Sequence, residues 1–328
     1  GAFPLTVVNR ENNPLNTDLN THHVWFEKFF TPKSLPLWPQ SKNTSTQAGE
    51  IQLPTFKAFE IQKTRNYKCL VIYFALSAEA TLMLDPFQRP LETLQELSPA
   101  TISTDLPFHK FGQNELYTVA KWAKKQEEEP SFFPQYLDQL SADIKTIHSK
   151  ISALQSTKLP LPVALIGLSR GTWIAMNVLS RLSKDPYFQT LACHLLLYAP
   201  MTQIKDISDT SILNCEFQMT FDSWMSIGNH DTKVSTEQAF LVHQHLLKSH
   251  ITAQKASKTT SMDQLIKDKY PHHFCSYPSH GYMGHGTSEA IFDRGAQWLS
   301  QSIASAHTTS ESLQGGSSTS HRPEKKLY

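Results

Sequence analysis

The sequence predicts an α/β fold in which a mainly parallel sheet lies between helices on both faces. Three observations carry that reading. Short runs that are apolar at nearly every position recur along the chain, stripes of apolar residues spaced by three or four fall between them, and the two kinds alternate. Parallel neighbours need a crossover of a dozen or more residues, which such intervening helices supply.

Taken in order, the first 50 residues are rich in Asn, Pro, Thr and Ser, broken by Val24-Trp25-Phe26 and Phe29-Phe30. They are expected to form an irregular entry segment with edge strands, Leu5 to Val8 being a candidate. Residues 51–303 are expected to form the main domain. Its predicted strands are Leu70 to Leu76 (LVIYFAL), Thr101 to Leu106 (TISTDL), Val163 to Leu168 (VALIGL), Cys193 to Tyr198 (CHLLLY), Thr220 to Ile227 (TFDSWMSI) and His273 to Tyr277 (HFCSY). The predicted helices carry the stripes Leu137, Leu140, Ile144, Ile147, Ile151, Leu154; Ala175, Val178, Leu179, Leu182; Ala239, Val242, Leu246; and Phe292, Ala296, Leu299, Ile303. Ser235 and Gln238 make a capping box for the third. From Ala304 to Tyr328 too few apolar residues remain to offset chain entropy, so a disordered tail is expected.

Composition narrows the function. Of 328 residues only 18% are charged, and the net charge is +1, so no overall field draws the protein to phosphate backbones; nucleic acid is not an expected partner. The longest apolar runs fall far short of the roughly 18 residues of a membrane span, so a soluble protein is expected. Four cysteines (Cys69, Cys193, Cys215, Cys275) show no C-x-x-C spacing, which excludes a disulfide scaffold and suits a reducing, cytoplasmic setting. Secretion stays open, because a cleaved leader would precede residue 1.

The chemistry concentrates at predicted strand ends. Gly167-Leu168-Ser169-Arg170-Gly171 follows a strand and opens a helix, the setting of a nucleophile elbow. The turn is so sharp that a side chain two residues either side of Ser169 would meet neighbouring backbone, hence glycine at both places. Ser169 Oγ is then held above the sheet, and the Arg170 N–H, at the positive end of the helix, can face a developing oxyanion. A serine needs a base, and the base a partner that fixes its tautomer. Asp231, just past a strand end in Asn229-His230-Asp231, is the candidate acid, and Asp222, inside the strand run, its rival. For the base, His285, flanked by glycines immediately before the last helix, is placed ahead of His280.

With these residues in view, the chain from about Leu70 to Ile303 resembles the α/β-hydrolase superfamily, in particular its dienelactone-hydrolase and prolyl-oligopeptidase-like esterases, through GLSRG, SIGNHDTKV and YPSHGYMGHG followed by Gln297-Trp298-Leu299. The resemblance implies an α/β-hydrolase fold, a Ser169, Asp231, His285 triad and a small acyl substrate, carboxylic esters first, with peptides and thioesters behind. It supports His285, makes Asp105 to His109 (DLPFH) a non-catalytic loop, and marks 202–219 as the place of a short cap. Relatives usually carry glycine after the strand at 70–76; here Ala75-Leu76-Ser77-Ala78 stands, so Leu76 or Ser77 would have to supply the second oxyanion N–H. That departure motivates the alternative of a hydrolase-fold protein that binds a ligand or partner without turnover.

No cofactor or metal is expected. His272-His273 and His243 with His245 lack the further Cys, Glu or His of a zinc site, no G-x-G-x-x-G or P-loop is present, and the run Lys124 to Glu129 reads as a solvated helix face.

Overall fold

The computed structural model describes residues 56–58, 66–111, 119–256 and 271–315. The segment 1–50, with its candidate strand at Leu5 to Val8, lies outside the described residues.

The expected apolar runs of the sheet interior become strands buried on both sides, while the run at the β7 edge is only partly buried. The strands are β1 (Phe56–Ala58), β2 (Leu70–Phe74), β3 (Ala100–Thr104), β4 (Val163–Leu168), β5 (Cys193–Tyr198), β6 (Asp222–Gly228) and β7 (His272–Tyr277). They form one sheet in the order β1-β3-β2-β4-β5-β6-β7. β1, which no apolar run announced, pairs antiparallel with β3; all other neighbours are parallel. Along β2, Leu70, Ile72 and Phe74 point into one core layer and Val71 and Tyr73 into the other, the period-two alternation of a sheet covered twice.

One layer is closed by α3 (Val119–Glu128), α4 (Phe132–Leu154), α5 (Arg170–Ser183) and α7 (Thr236–Ala256); the other by α1 (Ala78–Met83), α2 (Arg89–Leu94) and α8 (Glu289–Gly315). A short α6 (Pro186–Gln189) links α5 to β5. Ser235 Oγ accepts the Gln238 N–H at 3.2 Å, the N-cap bond of the expected box. The chain passes from β2 outward to β3 and then back across to β4, so the order of the strands reverses between β2 and β4. In an open parallel sheet that reversal opens a crevice beyond the strands' carboxyl ends.

Several expectations change, β3 ending at Thr104 and β6 starting at Asp222 among them. β2 stops at Phe74 rather than Leu76, because Ser77 caps α1 and residues 75–77 make the turn into it. Segment 202–219 is laid along the flank of α5. Trp173 Nε1 donates to Thr210 O (2.8 Å), Ser180 Oγ to Glu216 O (2.6 Å), and Gln218 N to Ser183 Oγ (3.0 Å). It therefore serves as the return connection from β5 to β6, with two 3-10 turns in place of a crossover helix. The last helix does not end at Ile303 but runs to Gly315. No Pro or Gly interrupts residues 296–314, and adding residues to an established helix is far easier than starting one. His307 Nε2 meets the Lys68 carbonyl along the way.

Candidate active site

β4 delivers the elbow to the crevice. Ser169 takes φ 53°, ψ −119°, a conformation uncommon for a residue with a Cβ and costing about 1–3 kcal/mol. Surrounding bonds enforce it. Ser169 N donates to Tyr198 O (2.9 Å), while Ser169 O accepts from Thr172 N (3.0 Å), the Thr172 hydroxyl and Met201 N (3.3 Å). The two glycines are dictated by contact: a Cβ on Gly171 would stand 1.9 Å from Phe74 O, and one on Gly167 2.5 Å from Thr172 Cα.

The loop after β6 carries Asp231. Its backbone N donates to Thr236 Oγ1 (2.9 Å), whose hydroxyl donates back to Gly228 O (2.6 Å), binding the loop to both the strand end and the start of α7. Asp231 Oδ1 accepts the N–H groups of Lys233 (2.9 Å) and Val234 (3.0 Å), leaving Oδ2 directed outward. The loop after β7 reaches the same point. Met283 O accepts from Thr232 N (3.0 Å), and the turn Tyr282–Gly284 feeds straight into His285.

These three loops converge. Ser169 Oγ lies 2.7 Å from His285 Nε2, and His285 Nδ1 lies 2.6 Å from Asp231 Oδ2. The Asp231 carboxylate accepts only, so Nδ1 carries the proton and Nε2 is left to accept the Ser169 hydroxyl. The Asp231 side chain is fully enclosed and that of His285 nearly so, whereas Ser169 stays partly open to solvent. Burial holds the imidazole pKa below its ordinary value, against the opposing pull of the Asp231 hydrogen bond.

The rivals lie elsewhere. Asp222 opens β6 at its amino end and bonds His194 Nδ1 (2.5 Å), at the opposite end of the sheet. His280 is exposed, its ring resting near Tyr277 with centroids 6.1 Å apart. Leu76 does not fit the oxyanion role expected of it: its N–H donates to Thr81 Oγ1 (3.0 Å), because the turn into α1 places that hydroxyl directly beneath it. Thr81 Oγ1 in turn donates to Ser77 O (2.7 Å). Ser77, the alternative donor, is fully buried as the cap of α1, its Oγ accepting the Ala80 N–H (3.3 Å). Arg170 follows Ser169 as the first residue of α5, at the positive end of that helix.

The residue that sequence reasoning missed is His109. It is buried beside the elbow, with Nδ1 on Pro107 O (2.9 Å) and Nε2 3.3 Å from Arg170 Nη1. Nδ1 must donate to the carbonyl, so Nε2 accepts from the guanidinium; burial, reinforced by the Arg170 charge, holds the ring neutral. The loop DLPFH packs, through His109, against the side chain that follows the serine.

Histidines of the two pairs meet protein groups. His272 Nδ1 meets Ser223 Oγ (2.7 Å), His245 Nε2 meets Cys215 O (2.7 Å), and His243 packs on Phe274. Among the described residues no group of three or more His, Cys, Asp or Glu could hold a metal ion, all four cysteines are free, and no helix is long and apolar enough to cross a membrane.

No protein-family model matches the chain, and no curated protein does. Solved structures do. One from a study of two fungal esterases from Rhizomucor miehei aligns at TM-score 0.54 and 11% identity over 94% of this chain and 93% of that one. An acetyl ester-xyloside bifunctional hydrolase from Caldicellulosiruptor lactoaceticus aligns at TM-score 0.51 and 11% identity over 83% of this chain and 96% of that one. With the sheet order and the elbow, these likenesses define the architecture: the chain has the α/β-hydrolase fold.

Proposed function

We propose that the protein is a serine hydrolase that cleaves carboxylic esters through an acyl-enzyme on Ser169. The observation that carries the reading is the unbroken contact from the Ser169 hydroxyl through His285 to Asp231, at 2.7 and 2.6 Å. His285 Nε2 takes the hydroxyl proton as Oγ bonds to the acyl carbon, then returns it to the departing alcohol; Asp231 holds the tautomer and offsets the imidazolium charge. Water, deprotonated by the same nitrogen, releases the acid. The Arg170 N–H, at the positive end of α5, is the donor assigned to the oxyanion. Esters are placed ahead of amides and thioesters because the structures it resembles include esterases.

The bond from Leu76 to Thr81 favours a second reading, a protein of this fold that binds without turnover. A hole lacking one donor is slower by about two to three orders of magnitude, so the hydrolase reading predicts slow rather than absent turnover. The test is hydrolysis of nitrophenyl acetate by the protein and by Ser169→Ala, His285→Ala and His280→Ala. Loss of about three to four orders of magnitude in the first two with retention in the third supports the hydrolase. Activity indifferent to Ser169 contradicts it, and no turnover at all favours the binding protein.

A further inference from the structure

Asp231 and His285 stand on different loops, and the residues on both sides of the acid are tied to the loop that carries the base. On one side His230 N donates to Ser279 Oγ (2.7 Å), and Ser279 N donates in return to Asn229 Oδ1 (3.1 Å). On the other side Thr232 donates to Met283 O from both its N–H (3.0 Å) and its hydroxyl (3.2 Å). Asn229 N also donates to Tyr277 O (2.7 Å), so the ladder between β6 and β7 runs on into the two loops.

Backbone meets backbone across this seam. A Cβ on Gly284 would stand 2.3 Å from His230 O, and one on Gly228 2.4 Å from Ser279 Oγ. From Ser279 onward the chain to His285 is closed on itself. Gly284 N donates to Gly281 O (3.1 Å), Gly286 N to His280 O (2.8 Å), and the Tyr277 hydroxyl to Gly286 O (2.9 Å), so a shift at Ser279 is carried to the imidazole by the loop as a unit. Burial does little to fix the seam: Asn229, His230 and Thr232 are exposed, and neither they nor Ser279 belong to a core cluster. Segments with few buried apolar contacts open most readily, so the bonds across the seam are what set the spacing of the two loops.

We infer that Ser279 and Asn229 are positioning residues, which hold the Asp231 carboxylate against the His285 imidazole by clasping the two loops together. The assignment rests on the hydrolase reading above. A relay of this kind works only within about 0.5 Å of its productive geometry, and a displacement of about 1 Å costs on the order of a hundredfold in rate. The clasp guards that tolerance at the 2.6 Å contact between His285 Nδ1 and Asp231 Oδ2.

The test compares Ser279→Ala, Asn229→Ala and Asn229→Asp, the last of which keeps an acceptor for the Ser279 N–H. Two quantities are read: the kinetics of nitrophenyl acetate hydrolysis, and the far-downfield proton resonance of the His285 Nδ1–H, identified by its loss in Asp231→Asn. Both alanine variants are expected to lower kcat about tenfold with KM changed less than about twofold, and to move the resonance upfield. Asn229→Asp is expected to recover most of both. Asn229 is exposed, so its variants lose no packing. Full kcat in the folded alanine variants, or a lowered kcat with an unmoved resonance, overturns the clasp. Absence of Ser169-dependent turnover in the unsubstituted protein overturns the hydrolase reading instead, and the resonance, which needs no turnover, still decides whether these residues hold Asp231 against His285.

Discussion

At Ser169 the backbone does something a serine does not choose, and its neighbours explain why it is held there. The residue enters positive φ because Gly171 lies against the Phe74 carbonyl and Gly167 against Thr172, contacts with no room for a Cβ. Gly171→Ala is therefore expected to lower stability by several kcal/mol, on the order of 3, or to prevent soluble expression. Thermal melting decides it, and an unchanged midpoint would show that the elbow can shift. At His285, burial lowers the pKa despite Asp231, so the neutral base persists to more acid conditions than a free histidine allows. On the hydrolase reading activity requires that neutral form, so the acid limb of the kcat/KM profile is expected to have its midpoint below 6.5. A limb centred above 7 contradicts the assignment of His285 as a desolvated base.

Among the elements, strands were read more surely than loops. VALIGL and CHLLLY are apolar on both faces, and the structure reproduces those two spans to the residue. A three-residue edge strand such as β1 leaves too short a pattern to detect. The three loops that meet at Ser169 were legible because glycine, serine, aspartate and histidine stand at strand ends in the order that such a relay needs. The Leu76 N–H was not legible in that way: its partner is a hydroxyl five residues on, and only the turn into α1 brings the two together. His109 was hidden for a similar reason, since its importance lies in touching Arg170, which is 61 positions away in sequence. The remaining carboxylate of interest, Asp222, sits at the amino end of β6. Burial pushes its pKa up, but the charge and hydrogen bond of His194 prevail and hold it below the ordinary carboxylate range. Its stabilising contribution is thus present above the unfolded value and lost as pH falls through the folded one. Asp222→Asn should cost about 1.5–3 kcal/mol of stability while leaving the proposed Ser169-dependent hydrolysis per folded molecule intact. A loss of activity without a loss of stability would contradict its placement far from Ser169.

In the whole molecule the two ends of the sheet divide the labour. The carboxyl end holds the relay, and the amino end buries polar side chains that brace β5, β6 and β7. His272 is the clearest of these: burial, with the neighbouring His250 adding to it, takes its pKa from 6.5 down to about 3. Between those values the unfolded chain binds a proton that the native one excludes, so stability should decline as pH falls from 6.5 towards 3. Melting temperatures at pH 7.5, 5.5 and 4.5 should drop in that order, and less steeply in His272→Asn. An equal slope in the variant would mean that His272 is not part of the acid lability.

The central claim is that Ser169 is a nucleophile made reactive by His285. Incubation with a fluorophosphonate probe, followed by peptide mapping by mass spectrometry, tests it most directly. The account predicts one adduct, on Ser169, absent in Ser169→Ala and strongly slowed in His285→Ala. An unlabelled Ser169 in the folded protein, or labelling equally fast without His285, would contradict it.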